Sequence, residues 1–186
     1  TSAPTFDVDT KTTGHEGTVT FGFTTFNRVP SGGKIIIELA KSTDAGGNGF
    51  TSITSPAVSG VTVNTVDDAN QFNTPAAAST AGSVHTVVVT LAKELPAGAV
   101  VSFKIGSVKN RESAGSTDPV KVFKTTLATE SFVVDLATAA QLPAAQTITS
   151  PAFTSAPTFD VDTKTTGHEG TVTFGFTTFN RVPSGG

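Results

Sequence analysis

The chain has no cysteine, methionine, tryptophan or tyrosine, and each absence closes a class of explanation. Without cysteine there are no disulfides and no thiolate metal sites, and the redox compartment is left open. A chain with neither thiol nor thioether suits long exposure outside a cell, where both groups oxidise. Charge is sparse as well, at 15% of 186 residues, with 12 basic and 15 acidic side chains and a net charge of −3. No Lys/Arg cluster forms a phosphate-binding stripe, so nucleic acid is not an expected partner. No apolar run approaches the roughly 20 residues that span a bilayer, so no membrane insertion is expected. No Asn-x-Ser/Thr sequon occurs, so N-glycosylation is not expected either. The chain opens on TSAPTFDVD, without a charged-then-apolar leader, which is the pattern of a mature or internal fragment.

What is present is a duplication. Residues 1–33, TSAPTFDVDTKTTGHEGTVTFGFTTFNRVPSGG, recur letter for letter at 154–186, an offset of 153 residues. Two merely related strands would drift apart. Identity over 33 positions means a recent tandem duplication, a polymer followed past its own period, or an engineered repeat. The chain therefore divides into a unit at 1–153 and the opening of a second unit, or a donor strand segment, at 154–186. The copy contributes Lys164 and Arg181 against Asp160, Asp162 and Glu169; without it 10 basic and 12 acidic residues remain, about −2 per unit. A unit of that length holds a real core.

Residues 5–9 alternate, with Phe6 and Val8 on one face. Residues 18–26, TVTFGFTTF, place Val19, Phe21 and Phe23 together, and 34–40, KIIIELA, reads as a strand at a sheet centre. Further strands are expected at 60–66 with Val61 and Val63 inward, and at 85–92 with Val87, Val89 and Leu91 inward. The same holds for 99–109 with Val101, Phe103 and Ile105, for 120–127, and for 131–138 with Phe132, Val134 and Leu136 on one side. Residues 67–83 lack a period of two and read as a long loop or one short helix near Pro75; 139–145 reads as a helical turn. Turn chemistry at 28–33 and 95–98 uses Pro to preset φ and Gly to allow φ > 0. VPSGGKIIIEL (29–39) echoes LPAGAVVSFKI (95–105), so two strand–PxG–strand hairpins in a pseudo-symmetric pair are one reading and convergence on a good turn is the other. Eight or nine strands without an amphipathic helix make an all-β sandwich with Greek-key-like connections.

TVTFGFTTFNRVPSGGKIIIEL, followed by LPAGAVVSFKIGSVKNRESAGSTDPVKVFKTT, resembles the Thr-rich immunoglobulin-like tandem repeats of very large secreted microbial surface proteins. The resemblance covers most of the 153-residue unit and is one of style, without a diagnostic motif. It implies an immunoglobulin-like β-sandwich repeat in an extracellular or cell-surface array serving adhesion or a filament.

No catalytic constellation accompanies these strands, and no enzyme is expected. His15-Glu16-Gly17 is not HExxH, because Val19 stands where the second ligand belongs. His85 opens a strand, and no serine sits in a G-x-S-x-G elbow. Residues 46–49, GGNG, lack both GxGxxG spacing and a Walker lysine and read as a turn. Asp7, Asp9, Asp67 and Asp68 are candidate calcium ligands, although Lys11 sits where an EF-hand loop needs oxygen and Thr18 where it needs a bidentate Glu. Lys104 and Lys121 with Glu38 and Asp135 are candidates for an isopeptide crosslink. No cofactor is expected.

The duplicated segment is the candidate site, through Phe159, Val161, Val172, Phe174 and Phe176 as inter-unit linkage residues. Apolar side chains of this size demand burial, about 1.5–3 kcal/mol for each Phe or Val, and unpaired sheet edges invite another strand. The expected partners are copies of the chain in a linear array, joined head to tail. The alternative is an adhesin repeat that binds glycan or protein through loops 42–49, 67–83 and 110–119, where Phe50 and Phe72 are the aromatic candidates.

Overall fold

A computed structural model describes residues 3–42, 48–117, 120–152, 155–162, 164, 166, 167 and 169–178. It is nearly all β. By contacts the chain forms two units, Thr1–Thr149 and Ser150–Gly186. The break falls four residues before the sequence copy begins.

In chain order the strands of the first unit are β1 (Thr5–Val8), β2 (Glu16–Thr24), β3 (Lys34–Ala40), β4 (Ser52–Ile53), β5 (Val58–Val63) and β6 (Val66–Asp67). Then come β7 (Ala77–Ala81), β8 (Val84–Thr90), β9 (Val100–Lys109), β10 (Gly115–Ser116), β11 (Val122–Thr126), β12 (Val133–Leu136) and β13 (Thr147–Ile148). One antiparallel sheet runs β1-β2-β9-β5-β6, with β4 also on β9; the other runs β12-β11-β3-β8-β7. Their facing sides make the core of a β-sandwich. Phe21 stacks on Phe103 at 5.7 Å within the first sheet, and Phe123 of the second reaches Phe23 at 5.1 Å and Phe21 at 6.3 Å. Ile35, Ile37, Val87 and Val89 close the other side, all fully buried. β3 is the middle strand of its sheet, which is why its apolar run is continuous.

The PxG echo is a true pseudo-dyad, but its flanking strands are not hairpins. β2 and β3 lie in opposite sheets, and so do β8 and β9, so each PxG turn carries the chain across the sandwich. The two crossovers meet at Val29 and Leu95, whose amides donate to each other's carbonyls at 2.9 and 2.8 Å. Around that pair the bonds repeat: Gly32 N–H to Leu91 O at 2.8 Å matches Gly98 N–H to Thr25 O at 3.0 Å. Leu91 N–H to Gly33 O at 2.8 Å matches Thr25 N–H to Ala99 O at 3.0 Å. Gly32 and Gly98 share a left-handed φ, +80° and +78°.

Three expectations need correcting. The strand expected at 60–66 is cut by a two-residue turn, Asn64 and Thr65 at φ +52° and +68°, which folds β6 back on β5. A primed turn of this kind usually carries glycine, so its sequence signal was weak. Residues 77–81 form β7, neither loop nor helix; as the exposed edge of its sheet it buries none of its residues and has no alternation to read. At residues 132–136 only part of the expected inner face is covered: Phe132 and Leu136 are exposed, Val134 is half-buried against the core, and Asp135 is buried beside it. A register shift between Thr125 and Thr126 interrupts the pairing of β11 with β12 here. The helical turn exists as a 3₁₀ turn, Ala139–Gln141.

The end of the unit returns to its beginning. Thr149 pairs in parallel with Thr12; its N–H donates to Lys11 O at 2.8 Å and its carbonyl accepts from Thr13 N–H at 3.0 Å.

Gly98→Ala is expected to cost about 1–2 kcal/mol, because an L-residue there enters the left-handed region. Gly106→Ala, where a Cβ would find its nearest neighbour at 3.7 Å, should be neutral or stabilising by less than about 1 kcal/mol. Urea melts of both variants check this contrast.

Candidate functional site

Among the described residues of the copy, the two strands pair as those of the original do. β14 (Thr158–Val161) and β15 (Val172–Gly175) form an antiparallel hairpin with four register pairs, each the counterpart of a pair between β1 and β2. Phe159 meets Phe174 at 5.4 Å, as Phe6 meets Phe21 at 5.3 Å. Thr158 Oγ1 donates to Gly175 O at 3.4 Å, as Thr5 Oγ1 does to Gly22 O at the same distance. Opposite those threonines glycine leaves room for the hydroxyl, since a Cβ would fall 2.6 Å from Thr5 Oγ1 and 2.5 Å from Thr158 Oγ1 and turn it away. Register is thus written into the segment itself: a Thr facing a Gly, a Phe facing a Phe, a Val facing a Val.

Burial separates the two copies. In the first unit Phe6, Val8, Val19, Phe21 and Phe23 all lie in the core. Their counterparts are open to solvent: Phe159 is 64% exposed, Phe174 69%, Phe176 61% and Val172 45%, while Val161 is half-buried. Phe159 and Phe174 are in ring contact, Val161 and Val172 are register partners, and Phe176 follows the end of β15.

The first unit shows what such a face requires. β2 pairs with β9 over eight positions, among them Val19 with Ile105, Phe21 with Phe103 and Phe23 with Val101. Polar groups hold the rest of residues 3–33. Asn110, almost fully buried, donates from Nδ2 to Thr10 O at 2.7 Å and Thr12 O at 2.8 Å. Asp135 accepts from the amide N–H of Phe26 at 3.1 Å and from Asn27 Nδ2 at 2.9 Å. Gln146 Nε2 donates to Phe6 O at 3.3 Å. Sequence reasoning misses these groups because Asn110 and Gln146 lie in polar stretches that read as loops, and Asp135 alternates with the apolar residues expected to face inward; a buried Asn has no periodic signature.

The other candidates fall elsewhere. Lys104 and Lys121 are exposed, whereas Asp135 is buried and occupied by backbone donors, so the environment of an isopeptide bond is not assembled around them. Asp7 pairs with Lys11 at 2.8 Å, Asp9 accepts from Thr18 Oγ1 at 3.0 Å, and Asp68 pairs with Lys93 at 2.7 Å. Among the described residues no three His, Cys, Asp or Glu side chains are gathered as a metal would need. Phe50 and Phe72 are 1% and 3% exposed and belong to the core, so neither is a stacking platform for sugar. Residues 43–47, most of the first candidate loop and half of GGNG, lie outside the described residues, as do 118, 119 and His168. His15 is half-buried beside the β1–β2 turn.

His85 is a core residue. Its Nε2 donates to Phe50 O at 3.0 Å and its Nδ1 accepts from Thr80 Oγ1 at 2.8 Å, the tautomer that the carbonyl dictates. Desolvation holds its pKa below the ordinary 6.5; the Phe50 carbonyl opposes the drop and the charge of Lys41 adds to it.

Two outcomes follow. Phe21→Ala should cost about 3–5 kcal/mol, whereas Phe174→Ala, the same residue in the same register, should stay within about 0.5 kcal/mol for the first unit in denaturant melts. Below pH 6.5 the unfolded chain takes up a proton at His85 more readily than the fold does, so this contribution to stability is lost as pH falls. His85→Gln should flatten the dependence of Tm on pH between 6.5 and 5. The depressed carboxyls of Asp68 and Glu94, held down mainly by hydrogen bonds from Lys93 and Arg28, act lower, below their ordinary 3.8 and 4.5.

Searches of protein-family models, curated proteins and solved structures found nothing that matches this chain.

Proposed function

We propose that this chain is a structural repeat of an extracellular filament or surface fibre, its units joined head to tail through the duplicated segment. One observation carries the reading: an identical 33-residue segment keeps its hairpin register while its apolar face stays open. In the first unit that face is core, and β9 with the residues around it is its complement. A complement of the same kind is what the second copy calls for, and a further unit of the array supplies it. The immunoglobulin-like reading belongs to the same proposal and draws on two antiparallel sheets joined by crossovers. Secretion draws on the absence of thiols and thioethers. The adhesin reading is the weaker one, since its two candidate stacking rings are buried.

The test is the mass of native material after full denaturation, beside the assembly of the 186-residue chain. A denatured mass many times 18.9 kDa supports a covalent array, and one-unit subunits support linkage by strand exchange. A single 18.9 kDa chain that stays monomeric when folded, at every concentration, overturns the reading. Phe174→Asp is expected to abolish association while leaving the Tm of the first unit within about 2 °C, as for a surface change of under 0.5 kcal/mol; equal loss of both sinks the linkage.

A further inference from the structure

We propose that residues 154–186 are a plug for a second copy of this chain, seating on the partner's β9 in the place that the partner's own residues 1–33 occupy. This deepens the array reading above and rests on it, by naming the surface that receives the copy.

The acceptor is visible in the first unit. Residues 3–33 touch residues 34–149 along their whole length, through the eight pairs with β9, Asn110, Asp135, Gln146, Thr149 and the Val29–Leu95 crossover pair. A substitute must offer the same apolar face in the same register and the same backbone groups. The copy does, because no residue differs and the hairpin already holds the register before docking. Carried over from β2, the pairing sets Val172 against the partner's Ile105, Thr173 against the partner's Lys104, and Phe174 against the partner's Phe103. Phe176 then falls against the partner's Val101.

Each copy brings two such hairpins and one acceptor. When a plug enters an occupied acceptor, it releases a hairpin with the same side chains, so the buried apolar surface is unchanged and contact energy favours neither arrangement. Concentration then decides between separate and linked copies. An acceptor whose own hairpin is spoiled loses that balance and takes the plug outright.

The experiment uses full-length chains. Phe21→Asp sets a carboxylate at a position with no exposure and empties the acceptor; Phe174→Asp spoils the plug; the double variant lacks both. The expected result is that F21D keeps a cooperative melt and sediments as oligomers that grow with concentration, while the double variant is unfolded. F21D as unfolded as the double variant overturns the proposal, and so does a folded F21D monomer at every concentration, which would mean closure within one chain. A second measurement leaves the core intact and exploits the lack of cysteine. A Thr173→Cys chain is mixed with a Lys104→Cys chain under oxidised glutathione, and the heterodisulfide should form at least tenfold faster than with Lys93→Cys. Equal rates overturn the assigned register. Either failure leaves a covalent array of beads standing, because that reading is decided by the denatured mass.

Discussion

Two amides and two carbonyls at Val29 and Leu95 hold this sandwich in its topology. Each residue lies in the connection that leaves one sheet, after β2 or after β8, and opens a turn into the other, so the reciprocal bond joins both crossovers at one point. From it the pairings spread in order: β2 against β9 on one side, β3 against β8 on the other. Both residues are fully buried, where an unpaired amide or carbonyl costs free energy comparable to a lost hydrogen bond. The glycines at 32 and 98 follow from the same constraint, since each crossover turns its chain through a left-handed residue. Gly33 has a second reason: a Cβ would meet Val29 Cγ1 at 2.7 Å and Thr126 O at 2.9 Å.

The duplicated segment separates what local sequence decides from what the surroundings decide. Hairpin formation, strand register, the Thr–Gly notch and the Phe–Phe contact come out alike in both copies, hence they are local. Strand length is not: β2 runs for nine residues and β15 for four, because the longer strand is extended by β9. Burial is not local either, and it is burial that turns a correct hairpin into part of a core. Segments of this kind can be transferred between acceptors, because their own geometry does not have to change on docking.

Much of the sandwich was legible in the sequence. The alternation in 18–26, 85–92 and 99–109 named the inward side chains correctly, since both sheets have one face on the core. β7 was invisible because an edge strand of Ala, Ser and Thr with no buried face carries no periodic signal. On β12 the apolar alternation holds for Val134 and fails for Leu136, and Asp135 is buried for its bonds to Phe26 and Asn27, a polar reason that alternation does not register. Phe50 and Phe72 sit in loop-like sequence yet plug the core; polar neighbours said nothing of where the rings point. The candidate site was legible as a repetition of letters, and its openness was not, because identical residues cannot reveal which copy is covered.

The parallel pairing of Thr12 with Thr149 has a mechanical side. β1 runs toward that junction from the start of the unit, and the chain leaves the unit just beyond it. Tension between residues 3 and 149 therefore pulls β1 lengthwise against β2, and Thr12 lengthwise against Thr149. Bonds loaded in this way share the force and yield together, whereas a hairpin peeled from its open end gives way one bond at a time. Strung along a fibre, such a unit would resist stretching as a set of locks in shear.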